Sequence, residues 1–316
     1  MNTSSSGMPD FPLEARAVSP AVVSPTRPLY WSVRRELWEN RSIYIAPLAA
    51  GALYVVGLLI SLIHLPRDVR EIAMMEPAQQ STMLSHYYAH AGMLLVLTGF
   101  LVGIFYSLDA LHSERRDRSI LFWKSLPVSD LTTVLSKASI PLVVLPVIVF
   151  AITIVLQLIA FVLSTGVLLT TDAGASMLWT KLPLFQIQLG LLYSLTVMVL
   201  WHAPVYGWLI FVSGWARRAT FLWAVLPPLA LCVGEYLSFH TTYFTDLLLK
   251  DRLFGFAGRA FNLVAPDGTP VDAHFIPVAQ FTPGRFLSSP GLWVGLIVAG
   301  ALLFAAVRLR RYREPI

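Results

Sequence analysis

Six runs of mostly apolar residues dominate this chain, and each is long enough, or nearly so, to cross a bilayer, which takes about 20 such residues. They cover 43–65, 88–108, 139–165, 184–212, 220–240 and 291–307. Within each run the apolar residues follow one another without the alternation of a barrel strand, so the spans are helical. Composition agrees: 56% of residues are hydrophobic, 13% are charged and mean hydropathy is +0.67, whereas soluble domains carry about 25% charged residues. The expected fold class is an all-α integral membrane protein with six transmembrane helices, forming one domain over 29–316. Residues 1–28 are rich in Ser and Pro and lack the apolar core of a secretory signal. They read as a disordered tail, which leaves the first span to direct insertion.

Basic residues orient the bundle. With six spans both termini share a side. Segments 1–42, 109–138, 213–219 and 308–316 hold 16 Lys and Arg, against 7 in the segments on the other side. Cytoplasmic loops carry that excess, so both termini are expected in the cytoplasm. The net charge of +5 then meets anionic lipid of the inner leaflet and calls for no nucleic acid. Cys232, the single cysteine, lies inside an apolar run. It rules out an internal disulfide and reads as packing.

The stretch HSERRDRSILFWKSLPVSD (112–130) stands out between two apolar runs. Its first part can form a helix, with Ser113 as a candidate N-cap, Pro127 as a stop and Ser129-Asp130 starting the next helix. A short helix carrying these charges together with Phe122 and Trp123 either rests on lipid headgroups or docks a cytoplasmic partner. The segment LYWSVRRELWENR (29–41) has a similar character. Tyr30, Trp31, Val33, Leu37 and Trp38 share one helical face, and Arg35, Glu36, Glu39 and Asn40 fall largely opposite. This predicts an amphipathic helix lying in the inner interface, with Trp31 and Trp38 at headgroup depth.

Taken together, these features resemble the membrane subunit of ABC-type exporters of the second exporter class (type-2 permeases). An interfacial helix precedes span 1, six spans place both ends inside, a charged loop joins spans 2 and 3, and a longer outer segment joins spans 5 and 6. The run ERRDRSILFWKSLPVSD (114–130) is the most specific piece, and the resemblance covers nearly everything after residue 29. It implies two membrane subunits, a second copy of this chain or a related one, working with two cytoplasmic ABC ATPase subunits in a bacterial inner membrane. The loop helix would be a coupling helix seated in the ATPase. Glu114 matches the family's acidic residue, Arg115, Arg116, Asp117, Arg118 and Lys124 flank the contact, and Phe122 and Trp123 form its apolar plug. The resemblance also implies short helices dipping into the outer leaflet over 241–290. From the residues alone, that segment is equally a lid on the outer headgroups.

The chain has no G-x-x-x-x-G-K-[ST], H-E-x-x-H or G-x-S-x-G, so no enzymatic activity is expected of it. It takes no cofactor itself, and ATP and Mg belong to the partner. Glu235 is the acidic residue well inside an apolar run. A charge at the bilayer centre costs at least roughly 2.5 kcal/mol, and Glu235 is expected to face the bundle interior near the outer end of a translocation path. His202 and Gln157 are further candidates for that path, alongside a plainer role as hydrogen-bonding links between helices, as for Gln186 and Gln188. His86 and His90 have the spacing of two metal ligands and lack a third nearby. The glycine pairs Gly99/Gly103 and Gly291/Gly295 permit close helix packing, within the chain or at a subunit interface. The leading function is ATP-driven export. The alternatives are a non-transporting anchor or sensor that docks a cytoplasmic partner, and a membrane-embedded enzyme, for which the spans offer few polar residues.

Overall fold

The computed structural model describes residues 26–117, 128–171, 175–264 and 277–312. Six helices are long and apolar enough to cross a membrane. They are Ser42–Ser61 (span 1), Gln79–Arg116 (span 2), Asp130–Thr170 (span 3), Leu184–Trp215 (span 4), Thr220–Phe239 (span 5) and Pro290–Tyr312 (span 6). The chain is a multi-pass helical protein, and the only strand-like feature among the described residues is an isolated bridge between Phe261 and Phe281.

Span 4 is the most enclosed, with 61% of its apolar window buried, and span 5 the least, with 17%. The other spans gather around span 4. Span 6 packs along it most extensively, span 2 lies against it from the other side, and spans 1 to 3 contact one another. At 1.5 Å per residue the 32 residues of span 4 reach about 48 Å, more than a hydrocarbon core of about 30 Å. Its excess length therefore tilts or projects and gives the helix Arg252–Ala260 something to pack on. Pro204 lies inside this span without ending it, because helices packed all around supply the environment in which a missing N–H is tolerated.

Glycines set several close approaches. A methyl group on Gly99 would stand 2.7 Å from Val149, and one on Gly103 3.0 Å from Tyr206. Both pairs of spaced glycines are thus filled by neighbours within the same chain.

Two connections differ from expectation. The 66–87 segment is not a loop: helix Leu65–Ala73 follows span 1, and span 2 begins at Pro77. In the 112–130 stretch, a one-turn helix His112–Arg116 is capped by no side chain. Ser113 instead turns its hydroxyl back to the Asp109 carbonyl. Ser129 does open span 3, accepting the Thr132 N–H at 3.1 Å. Span 3 then passes through a π-helical turn at Ile140–Val144, where Pro141 removes an N–H and the Leu145 N–H reaches the Ile140 carbonyl.

Candidate functional site: a buried ion network beneath the 112–130 stretch

At the end of the bundle that carries both termini, four elements converge: helix Thr26–Glu39, the helical turn His112–Arg116, the start of span 3 and the end of span 6. Each contributes charge. Glu36 is fully buried, and Lys137, Glu114 and Arg310 are nearly so. Lys137 Nζ lies 2.9 Å from Glu36 Oε1 and 3.1 Å from Glu114 Oε1. Arg35 Nη2 donates to Glu36 Oε1 at 2.8 Å and to Glu114 Oε1 at 3.3 Å. Arg310 joins the other oxygen of Glu114 at 3.4 Å and pairs with Asp130. Tyr106 O–H, from span 2, donates to Glu36 Oε2 at 2.8 Å.

Three buried or part-buried acids face three bases, with the exposed Glu39 3.7 Å from Arg35 at the rim, so opposite charges are interleaved. That is the arrangement in which buried charge is tolerated, because each ion regains from its neighbours what it lost from water. Burial alone would raise the Glu36 carboxyl, but Lys137 and Arg35 outweigh it and hold the group below the usual carboxylate range.

Arg115 ties the same turn to span 4. Its Nη1 donates to the Gly214 carbonyl at 2.7 Å and to that of Ala216 at 3.3 Å. These carbonyls cap the C-terminal end of a helix, where a cation is favoured. Ser213 Oγ accepts the Leu111 N–H at 3.2 Å. The stretch after span 2 is thereby fastened to the preceding amphipathic helix and to spans 3, 4 and 6.

These positions correct part of the sequence reading. Glu114 and Arg115 were expected at a docking surface, yet their side chains point inward and are committed to the chain's own helices. Arg116 and Asp117 remain exposed and pair with each other at 3.0 Å. Arg118, Phe122, Trp123 and Lys124 lie outside the described residues. On the amphipathic helix, Trp31 and Trp38 are exposed, as their face required, and Arg34 sits over both rings at 5.1 and 4.7 Å. Arg35 is half-buried. Glu36, however, faces the protein rather than water, alongside the partly buried Val33 and Leu37, while Glu39 stays exposed.

The three candidates for a translocation path are engaged in packing. The Glu235 carboxylate accepts the Tyr243 and Phe244 N–H groups and the Thr241 hydroxyl, each at 2.7 Å. It thus caps the N-terminus of the outer helical segment that runs from Tyr243 to Ala260. His202 reaches the carbonyls of Met198 and Leu253 at 2.8 and 3.3 Å, between the rings of Phe100 and Phe256. Gln157 donates to the Tyr88 carbonyl at 3.3 Å and accepts from Gln188, linking spans 2, 3 and 4. Among the described residues no three His, Cys, Asp or Glu side chains gather as a metal site.

Sequence reasoning missed Glu36, Lys137, Asp130, Arg310 and Tyr106 as a group. The available signal was their type, since each is a polar residue adjoining or inside an apolar run. Their mutual proximity was not available, because the Lys137–Glu36 pair spans 101 positions. No family model, no curated protein and no solved structure matches this chain.

Proposed function

We propose that this chain is the membrane-spanning permease subunit of an ATP-driven ABC-type exporter, forming the pathway as a dimer and driven by separate cytoplasmic ATPase subunits. The excess of basic residues supports a cytoplasmic side for the termini and the 112–130 stretch, and the membrane in this reading is a bacterial inner membrane. Helix Thr26–Glu39 lies in the interface with Trp31 and Trp38 toward lipid headgroups. Residues 113–126 are the segment that couples to the ATPase.

The observation that carries this reading is the ion network. A segment that receives force needs stiff attachment to the parts it moves, and here the first turn of the segment is bonded to an amphipathic helix and three spans. Glu114 and Arg115 are transmitting residues in this scheme, and Arg116, Asp117, Arg118, Phe122, Trp123 and Lys124 make the contact with the ATPase. A mere float on the lipid surface has no use for four such attachments. Closure of the ATPases must favour one arrangement of the bundle for ATP to do work on the pathway.

The reading is tested by purifying the full chain from its host membrane and labelling the preparation with a photoreactive ATP analogue. A separate nucleotide-binding polypeptide should accompany the wild type and be lost with Trp123→Ala, which leaves the network intact. A wild-type chain that purifies with no nucleotide-binding polypeptide would overturn the proposal. Vesicles in which ATP hydrolysis proceeds without moving any amphiphile would favour the anchor instead.

A further inference from the structure

Around Trp201, two arginines share one acid. Arg252 and Arg259 lie seven positions apart in the outer helical segment. Their guanidinium carbons sit over the same indole, that of Trp201, at 4.8 and 4.6 Å. Asp251 pairs with Arg259 at 2.6 Å. Arg252 has only a neutral partner, the Gly291 carbonyl at 2.7 Å, and among the described residues its buried Nη1 has no hydrogen-bond partner.

Glycines make room for this crowding. A methyl group on Gly295 would stand 2.6 Å from Arg252 Nη1, and one on Gly255 would stand 2.5 Å from Asp251 and 2.9 Å from Arg259. The cluster is reached from outside through the Arg259 side chain, which is 34% exposed.

We propose that Arg252 and Arg259 together bind an oxyanion of the phosphate class, entering by the Arg259 edge and supplying the negative charge that the cluster lacks. Two guanidinium forks over one aromatic platform suit such a group, because each can give it parallel N–H donors. Consistent with this, burial holds Arg252 below its usual range, Asp251 opposing that shift and Arg259 adding to it, so an anion beside the guanidinium offsets part of its lost hydration. The phosphate can belong to an outer-leaflet lipid or to a free ion. The inference stands apart from the exporter reading, since it concerns only this chain and its outer face.

The test uses the full chain in neutral detergent, stripped of lipid, with thermal unfolding as readout, because a ligand of the folded state raises the midpoint. The probes are inorganic phosphate against chloride at equal ionic strength, and mixed micelles of phosphatidylglycerol against diacylglycerol. A rise with inorganic phosphate assigns the site to a free oxyanion, and a rise with phosphatidylglycerol alone assigns it to a lipid headgroup. Either rise should need a roughly tenfold higher probe concentration in Arg259→Gln, the scale of one charge-assisted hydrogen bond. It should vanish in Arg252→Gln, return in part with Arg252→Lys and persist with Lys250→Gln, an exposed neighbour. No rise with either probe, or a rise unchanged in Arg259→Gln, would overturn the proposal. Arg259→Gln decides the matter if Arg252→Gln fails to fold, because Arg259 is the more open of the two.

Discussion

The two ends of the bundle bury charge in opposite ways. At the end with the termini, three acids and three bases from four elements neutralise one another. At the other end, Glu235 is satisfied by backbone N–H groups, and two arginines share an indole with one carboxylate. The first arrangement is closed, because every ion has an opposite ion within the chain. The second leaves Arg252, among the described residues, hydrogen-bonded only to a carbonyl. A closed network serves rigidity, and an open one leaves room for something that is not part of the chain.

The comparison breaks most visibly at Lys137. Replacing it with Met leaves Glu36 and Glu114 with Arg35 as their one remaining shared cation among the described residues, and removal of one member of a buried ion pair costs about 3–5 kcal/mol. Unfolding of the purified variant in detergent measures this, and a stability within error of wild type would show that the network does not hold this end together. Adding Glu36→Gln to Lys137→Met should recover part of the loss, because the two changes act on one contact.

A smaller effect comes from pH. The folded Glu36 carboxyl lies below its ordinary value of 4.5. Its contribution is therefore present above the ordinary value and lost as pH falls through the lower, folded one. Thermal stability should decline as the medium is acidified below about pH 4.5, and Glu36→Gln, already weaker at neutral pH, should decline less. An identical acid limb in the two proteins would remove Glu36 from the account.

At the outer end the expected losses are local. Glu235→Gln can no longer accept N–H groups with both oxygens, so hydrogen exchange at Tyr243 and Phe244 should quicken while span 4 amides keep their protection. Gly295→Ala pushes against the flexible tip of Arg252, whereas Gly99→Ala pushes against the stiff, β-branched Val149. Overpacking of the second kind costs about 1–3 kcal/mol. The first should fall below that range and show itself mainly as weaker phosphate binding.

The six spans were legible because an uninterrupted apolar run of that length has few other solutions in water or lipid. The amphipathic helix at 26–39 was also legible, but its inner face was misjudged. A helical wheel separates polar from apolar residues and does not say which side faces the protein. Glu36 is drawn inward by Lys137 and Tyr106, partners that no local pattern names. Glu235 illustrates the reverse case. An acid shortly before a new helical segment is a local capping signal, and it was overshadowed by the cost of placing a charge in an apolar run.

The π-turn in span 3 has a bearing on all of this. It inserts one extra residue into a helical repeat, and one residue is about 100° of rotation. The half of span 3 beyond Val144 meets spans 1 and 2 through Val149, Leu156 and Ala160, while the half before it turns Lys137 toward Glu36. Take the extra residue away and the two halves fall out of phase: with the packed half held in place, the ammonium group would swing about a quarter-turn away from both carboxylates. A single surplus position, set beside Pro141, acts as the key that lets one continuous rod fit two differently oriented locks.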